Sequence, residues 1–295
     1  MSSASLLFDA PGPRARARNA VYTVAALAAI AAILYFVYAK FDEKGQWEGR
    51  IWEPFLQWGT WETHIFPGLL GTLKAAGLAA VLAFVFGAVF GLARLSDHAW
   101  IRVPAGAVVE VFRAIPLLLL IFFIFYLAPS ILGGADYAFM AVVAGLTLYN
   151  GSVLAEVVRA GVLSVPRGQS EAAYAIGLRK NQVMRMVLLP QAVTAMMPAI
   201  VSQLVVLLKD TALGYIIAYV DLLNTGFKIL PAVFFGSLIP AAIVIGVVYV
   251  GLNLLLSALA TWLEKRSRRS RKTSAAPVAP PGAVGVPGGG ASAVD

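Results

Sequence analysis

The sequence predicts an all-α integral membrane protein with about six transmembrane helices. Of its 295 residues, 60% are hydrophobic and only 13% charged, a balance foreign to soluble globular domains. Several runs almost free of charge reach the roughly 20 residues needed to cross about 30 Å of hydrocarbon. Arginine and lysine gather in alternate connections, as they do when a chain threads a bilayer repeatedly. One membrane domain accounts for the length, and the absence of cysteine excludes disulfides and thiolate chemistry.

The elements follow in order. Residues 1–18 form a basic amino terminus with Arg14, Arg16 and Arg18. The apolar run 19–39 is too long for the core of a secretory signal and reads as an uncleaved extra transmembrane helix. Residues 40–67 carry Trp47, Trp52, Trp58 and Trp61, a density suited to the headgroup interface, so this segment is expected to lie along the outer surface. The main transmembrane domain covers 68–263, with spans at 68–93, 103–128, 138–162, 191–208 and 233–263. Pro116 is expected to kink the second of these. A cytoplasmic loop at 164–190 lies between the spans 138–162 and 191–208. Residues 264–295 are first basic, then rich in Pro, Gly and Ala, and are expected to be a disordered tail after Lys272.

Orientation follows from charge. With the amino terminus inside, the inner segments hold Arg94, Arg102, Arg167, Arg179, Lys180, Arg185 and the basic cluster after residue 264, while only Lys40, Lys44, Arg50 and Lys228 remain outside. The net charge of +8 is therefore a topology signal and not a nucleic-acid footprint. Both termini are expected in the cytoplasm.

The stretch SEAAYAIGLRKNQVMRMVLLP at 170–190 interrupts this apolar pattern. Each charge at a helix centre costs about 2.5–3.5 kcal/mol on insertion, so four of them keep the segment out of the bilayer. Glu171 is expected to open a short helix, Gly177 to break it, and Asn181 to cap a second helix running to Pro190 at the start of the next span. Ala173 and Gly177, four residues apart with Ala172 and Ile176 beside them, would give a face that another surface can approach closely. An ordinary connection whose alanines merely favour helix fits these residues as well.

Glu171, Ala172, Ala173, then Gly177, then Val187, Leu188, Leu189 and Pro190 resemble the EAA loop of permease subunits of binding-protein-dependent ABC importers, with valine at 187 where isoleucine is usual. The flanking text EVFRAIPLLLLIFFIFY (110–126), LAEVVRAGVLSVPRGQSEAAYAIGL (154–178) and LLKDTAL (207–213) is similar to the polar amino-acid uptake branch. The likeness covers roughly residues 68–262, leaving the first helix and the tryptophan-rich segment outside it. It implies the type I ABC importer permease fold in a bacterial cytoplasmic membrane, carrying a polar amino acid of the glutamate/aspartate type, with basic amino acids or glutamine as the alternative. It also implies that Glu171, Ala172, Ala173, Gly177, Leu189 and Pro190 couple to a separate ATP-binding subunit. The chain has no GxxxxGK[ST] run, so it cannot cradle nucleotide phosphates by a P-loop and must borrow its energy source; no cofactor is expected on the chain itself, and ATP with Mg would be bound by that partner. Further implied partners are a second permease, in a homo- or heterodimer, and an extracytoplasmic solute-binding protein. Membrane lipid surrounds the spans, and no nucleic acid is involved.

Other polar residues fall within the spans. Asn150, Gln203, Tyr249 and Asn253 are candidate substrate-path residues beside Thr147, Tyr149, Ser152, Ser202 and Ser257, with interhelical hydrogen bonding as the alternative. Lys209 and Asp210 end their span near the outer face, as a solute-entry pair or as an interfacial pair neutralising itself. Glu110 with Arg113, and Glu156 with Arg159, share helix faces at a three-residue spacing and read as snorkelling anchors or as latches between spans. Gly87 and Gly91 are assigned to dimer packing. No carboxylate or histidine falls at mid-depth, against a secondary transporter. His64 and His98 fall on opposite sides, against an enzyme. A membrane scaffold subunit is the remaining rival.

Overall fold

Lipid cannot satisfy backbone amides, so a chain of this composition turns them inward as helices. The computed structural model describes residues 12–132 and 137–272. Its helices are α1 (Pro13–Glu43), α2 (Gly49–Leu56), α3 (Trp58–Ala93), α4 (Ala99–Ala114), α5 (Leu117–Leu132), α6 (Tyr137–Leu163), α7 (Arg167–Ala175), α8 (Lys180–Ile217), α9 (Leu222–Val233) and α10 (Leu238–Lys272). Among the described residues five helices are long and apolar enough to cross a membrane, or six when α4 and α5 count as one broken span. The expected tail disorder lies outside the described residues.

Several boundaries differ from the sequence reading. The helix expected from residue 19 begins at Pro13, where a proline without N–H costs nothing in the first turn. The segment 40–67 is tied together by its tryptophans. Trp52 Nε1 donates to the Gln46 carbonyl at 2.8 Å, Trp61 Nε1 donates to the Phe55 carbonyl at 2.9 Å, and Phe55 is buried. The span expected at 103–128 with a kink is two helices meeting at 99°. Pro116 forces Ile115 out of the helical region, to φ −79° and ψ 126°. The helix expected from 191 begins at Lys180 and runs unbroken through Pro190, preceded by a wide π-helical run at Val183–Leu188. Such a turn shifts each hydrogen bond by one residue and gives the proline ring room. The helix expected from 233 starts at Leu238, after a turn in which Gly236 has φ +81°.

The chain divides into two compact units, and α3, α6, α8 and α10 each contribute residues to both. The first comprises residues 1–78, 118–145 and 210–252. Its core gathers Phe55, Ile65, Leu222, Leu230, Ala241 and Ile245, with Trp61 and Tyr249 packed against it. α3 reaches the turn at 218–222 through two hydrogen bonds: Tyr219 Oη donates to the Gly71 carbonyl at 2.7 Å, and Thr72 Oγ1 accepts from the Leu222 amide at 3.0 Å. Helix α1 buries none of its residues.

Asp221 caps α9 by accepting from the Asn224 amide at 2.6 Å. Burial pushes its carboxyl from the usual 3.8 up to about 6, against the opposing pull of backbone amides and Lys228. The folded form then holds more protons than the unfolded one between about pH 4 and pH 6, so stability falls as pH rises through that window and levels off above it. Asp221→Asn keeps an acceptor oxygen for the cap and is expected to remove this fall, which two pKa units bound at about 3 kcal/mol. Thermal melts of both forms across the window check it, and parallel pH profiles would contradict it.

The second unit comprises residues 79–117, 146–209 and 253–295. Val162, Ala192 and Met196 form its core, joined by Leu95, Val158, Met184 and Leu189. Gly87 and Gly91, assigned above to dimer packing, are used within the chain. A methyl at Gly87 would lie 2.6 Å from Leu154 Cβ, and one at Gly91 would lie 2.7 Å from the Ala155 carbonyl oxygen. Their missing side chains let α3 and α6 approach closely.

Candidate functional site

The loop between α6 and α8 is built by local rules. Pro166 stands in extended conformation just before α7 and starts it at Arg167. Glu171 is therefore the fifth residue of the helix and does not open it, contrary to the sequence reading. The helix stops in a Schellman turn: Leu178 N–H donates to the Ala173 carbonyl at 3.2 Å and Gly177 N–H to that of Tyr174 at 2.9 Å. Gly177 adopts φ +84°, a conformation that glycine reaches without strain. The cap of the next helix is Arg179, not Asn181, and the Gln182 side chain accepts from the Arg179 amide at 2.8 Å.

These bounds change which residues face outward. Ala173 is buried within the chain and Gly177 sits in the turn, so the two do not share a helix face. Leu189 is half-buried against the second unit's core, while Pro190 is exposed. From Glu171 to Gly177 every residue but Ala173 is exposed, with Ile176 78% exposed. Tyr174 escaped the sequence reading, although a bulky ring in so polar a connection was the signal for it.

The loop is fastened to its own unit. Lys180 Nζ pairs with Asp97 and donates to the Leu95 carbonyl at 3.3 Å. The hydrogen bond from Lys180 holds the Asp97 carboxyl below its ordinary range. Gln191 Nε2 donates to Gln169 Oε1 at 3.3 Å. A cleft of about 550 Å³ beside this junction is lined by His98, Arg179, Lys180, Asn181 and Arg185 over Leu92 and Met184.

Among the candidate path residues, the structure joins Asn150 and Gln203. Gln203 Nε2 donates to Asn150 Oδ1 at 2.6 Å, and Asn150 is fully buried. Among the described residues Asn150 Nδ2 and Thr147 Oγ1, one turn apart on α6, have no hydrogen-bond partner. Tyr249 belongs to the first unit and Asn253 to the second. Lys209 and Asp210 end the α-helical part of α8, just before its 3-10 turn Thr211–Ile217.

A second polar cluster was only half visible in the sequence. Arg94, at the end of α3, donates to Glu156 of α6 at 2.8 Å and to Glu110 of α4 at 3.3 Å. Glu156 also accepts from Arg159 at 2.5 Å and lies 3.9 Å from Arg113. The spacings 110/113 and 156/159 were legible, but Arg94, which joins them, read only as one more inner charge.

Residues 83–269 match the family of binding-protein-dependent transport system inner membrane components. The chain belongs to that family. Like its other members, this inner membrane component is a multi-pass permease subunit of an ABC transporter, a transport chain and not an enzyme, with an ATPase and a binding protein as partners. It is 43% identical over 238 residues to the glutamate transport system permease protein GluD of Corynebacterium glutamicum, covering 79% of this chain and 86% of the relative. It is 31% identical over 211 residues to the glutamate/aspartate import permease protein GltK of an Escherichia coli strain, covering 69% and 93%. Among solved structures, an amino acid ABC transporter crystallised with histidines superposes with a TM-score of 0.65 at 30% identity, covering 72% of this permease and 98% of that chain.

Proposed function

We propose that this permease carries an acidic amino acid, glutamate or aspartate, inward across the bacterial cytoplasmic membrane, driven by ATP hydrolysis on a separate subunit. The observation that carries the reading is the 43% identity, over most of both chains, to a glutamate permease. In this reading α7 and the turn after it seat on the ATPase through Glu171, Ala172, Tyr174 and Ile176, with Gly177 setting the turn and Ala173 packed beneath. Leu189 and Pro190 begin the helix that receives the motion. The loop and both termini then lie in the cytoplasm. Two ATPase copies bind ATP and Mg, a second permease completes the membrane pore, and an external binding protein delivers the solute. Asn150 and Gln203 supply polar contacts along the path, with Tyr249, Asn253, Lys209 and Asp210 as further path positions.

Reconstitution with the ATPase and binding protein tests this: labelled glutamate should accumulate only with ATP, and aspartate should compete better than glutamine or arginine. Uptake of none of them would overturn the reading. Because the chain has no cysteine, orientation can be read without background labelling. Ser170→Cys should react with an impermeant thiol reagent only from the cytoplasmic side and Thr63→Cys only from outside. The reverse pattern would invert the topology.

A further inference from the structure

Arg179 and Arg185 are exposed, and among the described residues no carboxylate pairs with either. Both line the cleft of about 550 Å³ at the start of α8. Lys180 lines it as well, but Asp97 answers its charge, so the cleft keeps two positive charges. Its opposite wall, the connection from α3 to α4, is held in place. Lys180 Nζ donates to the Leu95 carbonyl at 3.3 Å, and Arg102 Nη1 donates to that of Ser96 at 3.1 Å.

The cleft is apolar beneath these charges, where Leu92, Leu95, Met184 and Leu189 line it. From Leu92 an apolar strip leads away along α3. Val81, Val85, Val89 and Leu92 are all exposed, and their spacing places them on one helix face. The run from Val81 to Leu92 spans about 16 Å at the usual rise, close to half the roughly 30 Å of hydrocarbon in a bilayer. Trp100, 74% exposed, stands beside His98 with ring centroids 6.1 Å apart, and tryptophan favours the headgroup level. A positively charged mouth thus opens at the end of an apolar face as long as one leaflet is deep.

We propose that this cleft is a binding site for the headgroup of an anionic phospholipid. The phosphodiester accepts from Arg179 and Arg185, whose guanidinium forks match phosphate oxygens, and one acyl chain lies along the strip from Leu92 to Val81. A zwitterionic lipid brings its own cation, which competes with the two arginines, so the site prefers a lipid of net negative charge. An acidic protein segment would meet the charges equally well but would leave the strip on α3 unused, and that strip favours lipid. Arg179 caps α8, so the bound headgroup rests against the start of the helix that follows the 170–178 loop. The composition of the surrounding leaflet then bears on where that loop sits, whichever solute the permease carries.

Titration of the full-length permease in neutral detergent with nitroxide-labelled phosphatidylglycerol, and separately with phosphatidylcholine labelled alike, tests the site through the immobilised spin-label signal. Wild type is expected to hold phosphatidylglycerol about tenfold more tightly. Arg179→Gln/Arg185→Gln should lose most of that preference with phosphatidylcholine binding unchanged. Arg14→Gln/Arg18→Gln removes the same charge from α1 and should keep it, as should Arg179→Lys/Arg185→Lys. An unchanged preference in the glutamine pair, or an equal loss in either of the other two pairs, overturns the site. Excess glycerol 3-phosphate should not displace the labelled lipid; displacement would reduce the cleft to a site for soluble anions. Added ATPase subunit should leave the label bound, and its release would give the cleft to protein docking instead. Either result overturns the proposal and leaves the transport reading in place.

Discussion

Gly71→Leu is expected to prevent folded protein from accumulating in the membrane, and Gly71→Ala to lower the melting temperature of the purified protein by about 10 °C. A methyl group at this position would lie well inside van der Waals contact with the Val220 carbonyl oxygen, with Asp221 Cα 3.6 Å away. The obstacle is backbone, so no side chain can rotate to relieve it. The same contact holds the bond from Tyr219 Oη to the Gly71 carbonyl and, one residue on, the bond from the Leu222 amide to Thr72. Overpacking of a tight contact costs about 1–3 kcal/mol. Separating α3 from the 218–222 turn would add the loss of two hydrogen bonds at about 1 kcal/mol each. For a chain of this size each kcal/mol moves the midpoint by roughly 2–4 °C. Gly77 has open space around it, so Gly77→Ala is the control and should melt like wild type. If Gly71→Ala also melted like wild type, the close approach of α3 to this turn would be disproved.

Gly177→Val should remove at least nine-tenths of ATP-driven uptake while leaving the permease folded. Nothing lies within 4 Å of a side chain built at Gly177, so the effect is conformational and not steric. A β-branched residue at φ +84° is strained by about 1–3 kcal/mol. The turn would open, losing the bonds from Leu178 to Ala173 and from Gly177 to Tyr174, and with them the fixed position of Tyr174 and Ile176. Gly177→Asn tolerates the left-handed region and should retain most of the uptake. Equal uptake by the valine and wild-type forms would end the assignment of this turn to coupling.

The positions of the spans were legible in the sequence because hydropathy and charge act one residue at a time. Pro116 could be flagged, but the extent of the break could not, since the 99° bend depends on what each half packs against. The unbroken course of α8 through Pro190 was illegible for a related reason. A π turn has no strong sequence signature, and the choice between ending a helix and widening it is made by tertiary packing. At the loop, the residue types were evident but their facing was not: the side on which α7 packs leaves Ala173 buried and Tyr174 exposed, and that is set by tertiary contacts. The two polar clusters depend on partners far apart in the chain, Arg94 with Glu156 and Asn150 with Gln203. Spacing within one helix cannot reveal such pairs.

The continuity of α8 has a mechanical consequence. From Lys180 to Ile217 it is one helical run of 38 residues, about 55 Å at the usual rise per residue. One end begins at the turn with Gly177 and is pinned to Asp97. Further along it carries Gln203, and beyond that Lys209 and Asp210. No loop intervenes between the pinned end and Gln203, so a push at that end is carried along the helix itself. If the loop docks an ATPase and Gln203 lines a path, the two are points on a single helical run, and the π turn beside Pro190 and the proline at Pro198 are places at which that run can flex.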